Sequence, residues 1–244
     1  MKLWKNLADS YMGYVYCALS AIVSCILGVY LPTAWFLPFL NALFIYPLYM
    51  VPISSGQLRR AFVQMMVWTI FMSLTIITFA IFIPDRAGSH ILQGLSYRDE
   101  MFRWVRTGTG AESNLRAFLP IHITHLIIFS VLSLLTGGFA GLLFGAILLN
   151  YMNFYVGSLI RESHFAWQAI VLGWQIWAIV RVIGFITLAI GLSHLFFVYV
   201  RKKECNRTLM NEYLIGGISL IVLDILLKAS LAHDWQTFLH PILP

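Results

Sequence analysis

What this sequence has least of is charge. Only 11% of its 244 residues are Asp, Glu, Lys or Arg, against about 25% in an ordinary soluble domain. So small a charged fraction cannot solvate a globular surface of this size, which excludes a water-soluble enzyme or binding module. Cysteine is scarce as well. Cys17, Cys25 and Cys205 have no metal-ligand spacing. The first two fall inside an apolar block, where a thiol serves as a small hydrophobe, so neither a disulfide framework nor a redox site is read. Signature motifs are missing too. There is no Gly-x-Ser-x-Gly or Gly-x-Ser-Gly nucleophile, no His-Glu-x-x-His zinc motif and no second glutamate beside Glu112. The Thr107-Gly108-Thr109-Gly110 run lacks the Gly-Lys-Ser/Thr that would make it a phosphate loop. No internal repeat of the transporter kind is evident.

What is present in quantity is apolar surface. Hydrophobic residues make up 60% of the chain, in blocks of roughly twenty, the length that crosses a ~30 Å hydrocarbon core at 1.5 Å per residue. The first partner of this chain is therefore the lipid bilayer. The formal charge of +6 is scattered as short basic clusters between the blocks. That is the pattern of topology determinants and headgroup contacts, not of a nucleic-acid surface.

Block boundaries predict an all-α, polytopic transmembrane bundle that forms a single membrane domain over residues 1–244. Seven spans are expected, at about 11–31, 34–53, 61–83, 118–136, 139–160, 181–200 and 213–231, with six and eight as the neighbouring counts. Residues 1–9 read as a basic entry segment at the interface. Lys2 and Lys5 precede an apolar stretch as in a secretory signal, but without a small-residue cleavage motif, so the segment is expected to be retained. The stretch 165–200 is too long for one simple span. It divides into an interfacial part, 167–180, and a span that starts at Arg181; a second span there would invert the last one. A short aromatic tail with His233, Trp235 and His240 follows.

Seven spans put Lys2, Lys5, Arg59, Arg60, Arg201, Lys202, Lys203 and Arg207 on one side. The positive-inside rule then places the N-terminus in the cytoplasm, the bundle in the plasma (inner) membrane and the polar segment 85–117 outside. Within that segment Ile91, Leu92, Leu95, Phe102 and Val105 alternate with Arg98, Asp99, Glu100, Arg103 and Arg106. This predicts an amphipathic helix lying flat on the outer interface, with Trp104 at interfacial depth. It serves either as a brace over the bundle or as a mobile gate.

Candidate chemistry concentrates on the fourth, fifth and seventh spans. His122 and His125 share a helical face, and Asn150 and Asn153 repeat the spacing. A Gly137-Gly138 turn joins the two helices, so they run antiparallel. His122 then lies about 22 Å above the turn and Asn153 at a similar height. Two imidazoles at that spacing can ligate a divalent metal such as zinc, with Glu112 entering from the loop as third ligand or general base. The asparagines can donate to a carbonyl or oxyanion. Interhelical hydrogen bonding explains the same residues without chemistry. Gly137, Gly141 and Gly145 form a small-residue ridge on which a neighbouring helix, or a membrane protein partner, can pack closely. Asn153 and Gly157 continue that ridge, so Asn153 is expected to face protein. In the last span Asp224 and Lys228, four apart, are expected to pair within the helix. Arg181 is either an interfacial anchor or a counter-ion for Glu112 or Asp224. His194 reads as a packed core residue.

Two classes of function follow. One is membrane-embedded hydrolysis of a lipid or peptide, metal-dependent or not, with Glu112, Asn150, Asn153, Asp224 and Arg181 as catalytic candidates. The other is a non-enzymatic subunit of a transporter or larger membrane complex.

Overall fold

The computed structural model describes residues 2–202 and 206–243. Lys203 and Cys205 lie outside them, as do the side chains of Lys2 and Arg201. Among the described residues every regular element is helical. A short α1 (Lys2–Ala8) leads into α2 (Met12–Tyr30), α3 (Phe36–Ser54) and α4 (Leu58–Phe82). Two short helices, α5 (Pro84–His90) and α6 (Gly94–Thr107), precede the hairpin of α7 (Leu115–Leu135) and α8 (Phe139–Glu162). The short α9 (Ala166–Leu172) then leads to α10 (Ile176–Arg201) and α11 (Arg207–Leu239).

Seven of these helices are long and apolar enough to cross a membrane. The protein is an integral, multi-pass membrane protein built as a helical bundle. The ends of α3, α7 and α10 share one face with the N-terminus, called here the basic face. Helices α5, α6 and α9 and the C-terminus gather at the opposite, loop face.

Residues 165–200 hold one span, preceded by a helix of 7 residues that is too short to cross. That span starts at Ile176, so Arg181 lies inside the helix and not at its start as expected. The last helix is 33 residues long, about 50 Å at 1.5 Å per residue. It carries straight through the residues expected to form a loose tail. Trp235 Nε1 donates to the Leu172 carbonyl (2.9 Å) and its ring meets Trp177 edge-on. Leu239, Ile242 and Leu243 are buried there.

Helix α6 also departs from expectation. Its apolar face does not lie on lipid. Met101, Phe102, Trp104 and Val105 are buried against α8 and α11, and Trp104 is fully enclosed, its Nε1 donating to Ser113 Oγ. Gln236 Nε2 of α11 donates to the Val105 carbonyl (2.7 Å), fixing the helix to the bundle.

The main core joins α2, α3, α4 and α8. Inside it, polar side chains satisfy one another across helices, as a medium without water requires. Asn41 Nδ2 donates to Ser24 Oγ (2.8 Å), Asn150 Nδ2 to Asn41 Oδ1 (3.0 Å) and Asn153 Nδ2 to Ser73 Oγ (2.9 Å). His194 is buried in the core, its Nδ1 donating to the Ile53 carbonyl. Cys17 and Cys25 are buried free thiols. On the other side α10 and α11 pack at Gly217, where a Cβ would come within 2.7 Å of the Leu188 nitrogen.

The α7–α8 turn depends on glycine. Gly137 and Gly138 have φ of +59° and +95°, and a Cβ on Gly138 would sit 2.4 Å from Tyr49 Cε1 and 2.5 Å from Ser193 Oγ. Tyr49 and Ser193 hydrogen-bond each other at 2.8 Å. The turn is thus seated on the contact that joins α3 to α10. Gly138→Ala is expected to combine left-handed strain with overpacking and to cost about 1–3 kcal/mol, read as a lowered midpoint in an SDS unfolding titration. An unchanged midpoint would show that the turn has slack.

Candidate functional site

Helix α7 is the peripheral span. Ile121, Ile127 and Val131 point away from the bundle and are about half exposed, while Phe118, His122, Phe129 and Ser133 face inward. Near the turn α7 presses on α8: a Cβ on Gly141 would meet Ser133 Oγ at 2.0 Å. One helical turn further, at Gly145, a Cβ would find only Phe129, at 3.4 Å. From there toward the loop face the hairpin encloses a cavity of about 330 Å³. Gly137 is covered by Phe196, so the ridge of small residues packs within this chain at its first two members, and its second and third line the cavity.

The cavity has two chemically different ends. Toward the basic face its walls are mostly apolar, with Phe129, Leu142, Ala146, Phe185, Ile186 and Ala189; Tyr49, Trp68 and Thr69 add uncharged polar groups. Toward the loop face they carry Tyr97, Glu112, His122, Tyr151, Arg181 and Lys228. Each polar group is set by its own element. Arg181, on the second turn of α10, forks onto Asp224 of α11, donating from Nε to Oδ2 (2.9 Å) and from Nη2 to Oδ1 (3.0 Å). Asp224 is fully enclosed. Nε2 of His122 approaches the same Oδ2 at 3.4 Å, too long for a good hydrogen bond. Lys228, one turn along from Asp224, donates to Glu112 Oε1 at 2.7 Å.

Phe118 closes this end. Its ring lies 3.6 Å from Lys228 Nζ, 5.6 Å from Arg181 Cζ and 5.0 Å from the His122 ring. Its electron-rich face stabilises the two cations in a place where water cannot.

Glu112 arrives from outside the helices. It sits on a 3-10 turn, Ala111–Ser113, held by the Trp104 bond to Ser113 and by Ser113 Oγ donating to the Gly108 carbonyl (2.7 Å). Asn114 then caps α7, its side chain accepting from the Arg116 amide (3.0 Å). Tyr97 reaches the same end from α6 and stacks on Tyr151 at 4.5 Å. Burial, with the Glu112 carboxylate adding to it, pushes the Tyr97 phenol well above its ordinary value, so it stays a neutral hydroxyl.

Two cations and two carboxylates are paired at the polar end, and within those pairs the charges cancel; a third carboxylate, Glu100, also lines the cavity. Compensation of this kind is what allows ionised groups inside a membrane protein. The donors exceed the acceptors' needs: Arg181 has unused N–H groups beyond the two on Asp224, and Lys228 has two beyond the one on Glu112. The site therefore suits a ligand group that accepts hydrogen bonds.

The structure brings Glu112, His122, Arg181, Asp224 and Lys228 together. It pairs the charges differently than expected, because the Arg181 fork satisfies both Asp224 oxygens and leaves Lys228 for Glu112. The expected Asp224–Lys228 pair within the helix does not form. Asn150 and Asn153 are not at the site; their amides bind Asn41 and Ser73 on the far side of α8. His125 lines the cavity half-buried, with its ring against Phe144 (5.7 Å). Among the described residues no group of three His, Cys, Asp or Glu side chains is placed to hold a metal ion, and Glu112 meets Lys228 instead of the histidines. Phe118, Tyr97 and Tyr151 carry no sequence signal that separates them from ordinary interfacial aromatics.

Removing Arg181 alone should strand the enclosed carboxylate. Arg181→Met is expected to cost about 3–5 kcal/mol, and the Arg181→Met/Asp224→Leu double variant to recover most of it. Unfolding titrations of the wild type and both variants measure this. A double variant no more stable than the single one would show that the pair does not act as a unit.

Comparison of the chain with protein-family models, with curated proteins and with solved structures finds no match, so its own chemistry carries the functional reading.

Proposed function

We propose that the protein takes up an amphiphile from the bilayer and holds it in the cavity behind α7. The observation that carries this reading is the cavity's polarity. Its charged, donor-rich end lies about 10 Å below the loop-side end of α7, counted as seven residues from Leu115 to His122 at 1.5 Å each, and the rest of its wall carries no charged group and is mostly apolar. A lipid headgroup and chain have the same division over a similar length. The wall that separates the cavity from the bilayer is α7, a peripheral span. Entry between α7 and α8, past Ile121 and Leu148, needs no passage through water. With the basic loops in the cytoplasm, the site belongs to the outer leaflet.

A hydrolytic step on that ligand has one specific observation in its favour, the imidazole of His122 beside the Asp224 carboxylate at the cavity wall. In that reading His122 takes a proton from water as the water attacks an ester or amide carbonyl, and Arg181 steadies the developing oxyanion. Collapse of the intermediate breaks the C–O or C–N bond as the imidazolium returns the proton to the leaving alcohol or amine. His122→Gln would then stop turnover while leaving lipid bound.

The binding reading is tested by filling the apolar end. Gly145 faces open cavity, so Gly145→Leu adds a side chain there without a backbone clash. Lipid that co-purifies with the protein, extracted and quantified by mass spectrometry, is expected to fall at least tenfold in this variant while the unfolding midpoint holds or rises. The same lipid content in both proteins would contradict the reading.

A further inference from the structure

Three residues belong to two cavities at once. Glu112, Phe118 and Lys228 close the polar end of the inner cavity, and the same three line a second space of about 250 Å³ on the loop face, beside Leu115 and the exposed His233. They are a partition one side chain thick. Its parts are not equally anchored. Phe118 and Lys228 are on membrane helices, whereas Glu112 is on the 3-10 turn. That turn follows Gly108 and Gly110, at φ of +69° and +149°. The Lys228 side chain is 3% exposed and, among the described residues, Glu112 is the one carboxylate within 4.0 Å of it; the Glu112 side chain is 12% exposed.

We infer that Glu112 occupies the place of the ligand's own charge: a singly anionic head displaces it from Lys228 and, by doing so, opens the partition to the loop-face vestibule. This deepens the amphiphile reading above and rests on it. The argument is one of charge balance. With Glu112 on Lys228 the two ion pairs are neutral, and they stay neutral when one external anion takes the carboxylate's place, Glu100 on the same cavity wall being unchanged by the exchange. A neutral head gives no such compensation, because it would leave the ammonium of Lys228 uncompensated in an apolar setting. A doubly charged head would overshoot. Arg181 keeps unused donors on the same side, so a carboxylate or monoanionic phosphate finds a second cation there.

Size narrows the class further. A methylene fills about the space of a water molecule, ~30 Å³, so the inner cavity of about 330 Å³ takes roughly eleven. One chain fits inside, and any second chain would have to stay in the bilayer. The ligand is a singly charged amphiphile that places one chain in the cavity.

The test compares two diazirine-bearing probes in nanodiscs, a C12 carboxylic acid and the matching C12 alcohol, with photolabelling quantified on peptides of α7, α8 and α10. The readout is the acid-to-alcohol ratio, in which any general loss of folding or access cancels. Wild type should favour the acid. Glu112→Gln, which frees Lys228 of its internal anion, should raise the ratio about tenfold, and Lys228→Gln should lower it by a similar factor. A ratio that moves in neither variant, with both probes still labelling the cavity, would overturn the displacement mechanism and leave the amphiphile site standing. Labelling by neither probe in any protein would overturn both.

Discussion

An aspartate with no exposed surface in the middle of a membrane helix must be given a cation, and most of the architecture around this site follows from that requirement. Arg181 supplies both carboxylate contacts to Asp224, which fixes α10 against α11 along the Gly217 seam. Once Arg181 is committed, Lys228 has no other anion three or four residues away on its own helix. The chain brings one in from outside on the Ala111–Ser113 turn, and the enclosure of Trp104 with its bond to Ser113 sets where that turn can reach. The packing of α6 is therefore coupled to the neutrality of the membrane interior. Changing the loop disturbs the electrostatics, and changing the electrostatics releases the loop.

The hairpin of α7 and α8 supplies the remaining condition. Glycines at the turn hold the two helices together at the basic face, and the loss of close contact beyond Gly145 leaves room between them. A cavity in a membrane protein is stable if its apolar part faces apolar contents and its polar part is satisfied. Here the cations, carboxylates and Phe118 satisfy one end, and chain-like contents would satisfy the other. Because α7 is the wall on the lipid side, the same weak packing that creates the space also provides access to it.

The membrane class and the number of spans were legible because both depend on the length of apolar runs, which no tertiary contact can disguise. Some candidate residues were legible for a related reason: an ionisable group within such a run, as Asp224, Lys228, Arg181 and His122 are, stands out against its neighbours, whereas Glu112 comes from the polar segment between runs. What hydropathy could not supply was rotation about the helix axis. Asn150 and Asn153 have the height reasoned from the Gly137-Gly138 turn, yet their side chains bond to Asn41 and Ser73 across the core. Trp104 shows the same gap: an amphipathic pattern identifies an apolar face without saying whether lipid or protein covers it. The i,i+4 spacing of Asp224 and Lys228 suggested a local pair, but a guanidinium on another helix offers two hydrogen bonds where an ammonium offers one. Arg181 had been set at a helix start because an arginine usually marks the membrane boundary, and it lies inside because its charge is cancelled there.

The most direct measurement is the density of the protein in nanodiscs supplied with a C12 carboxylic acid, determined by electron cryomicroscopy. The account expects elongated density between α7 and α8, its head within hydrogen-bonding distance of Lys228 and Arg181 and its chain beside Gly145. Side chains closed over that space, with the acid absent or bound elsewhere on the bundle, would contradict it.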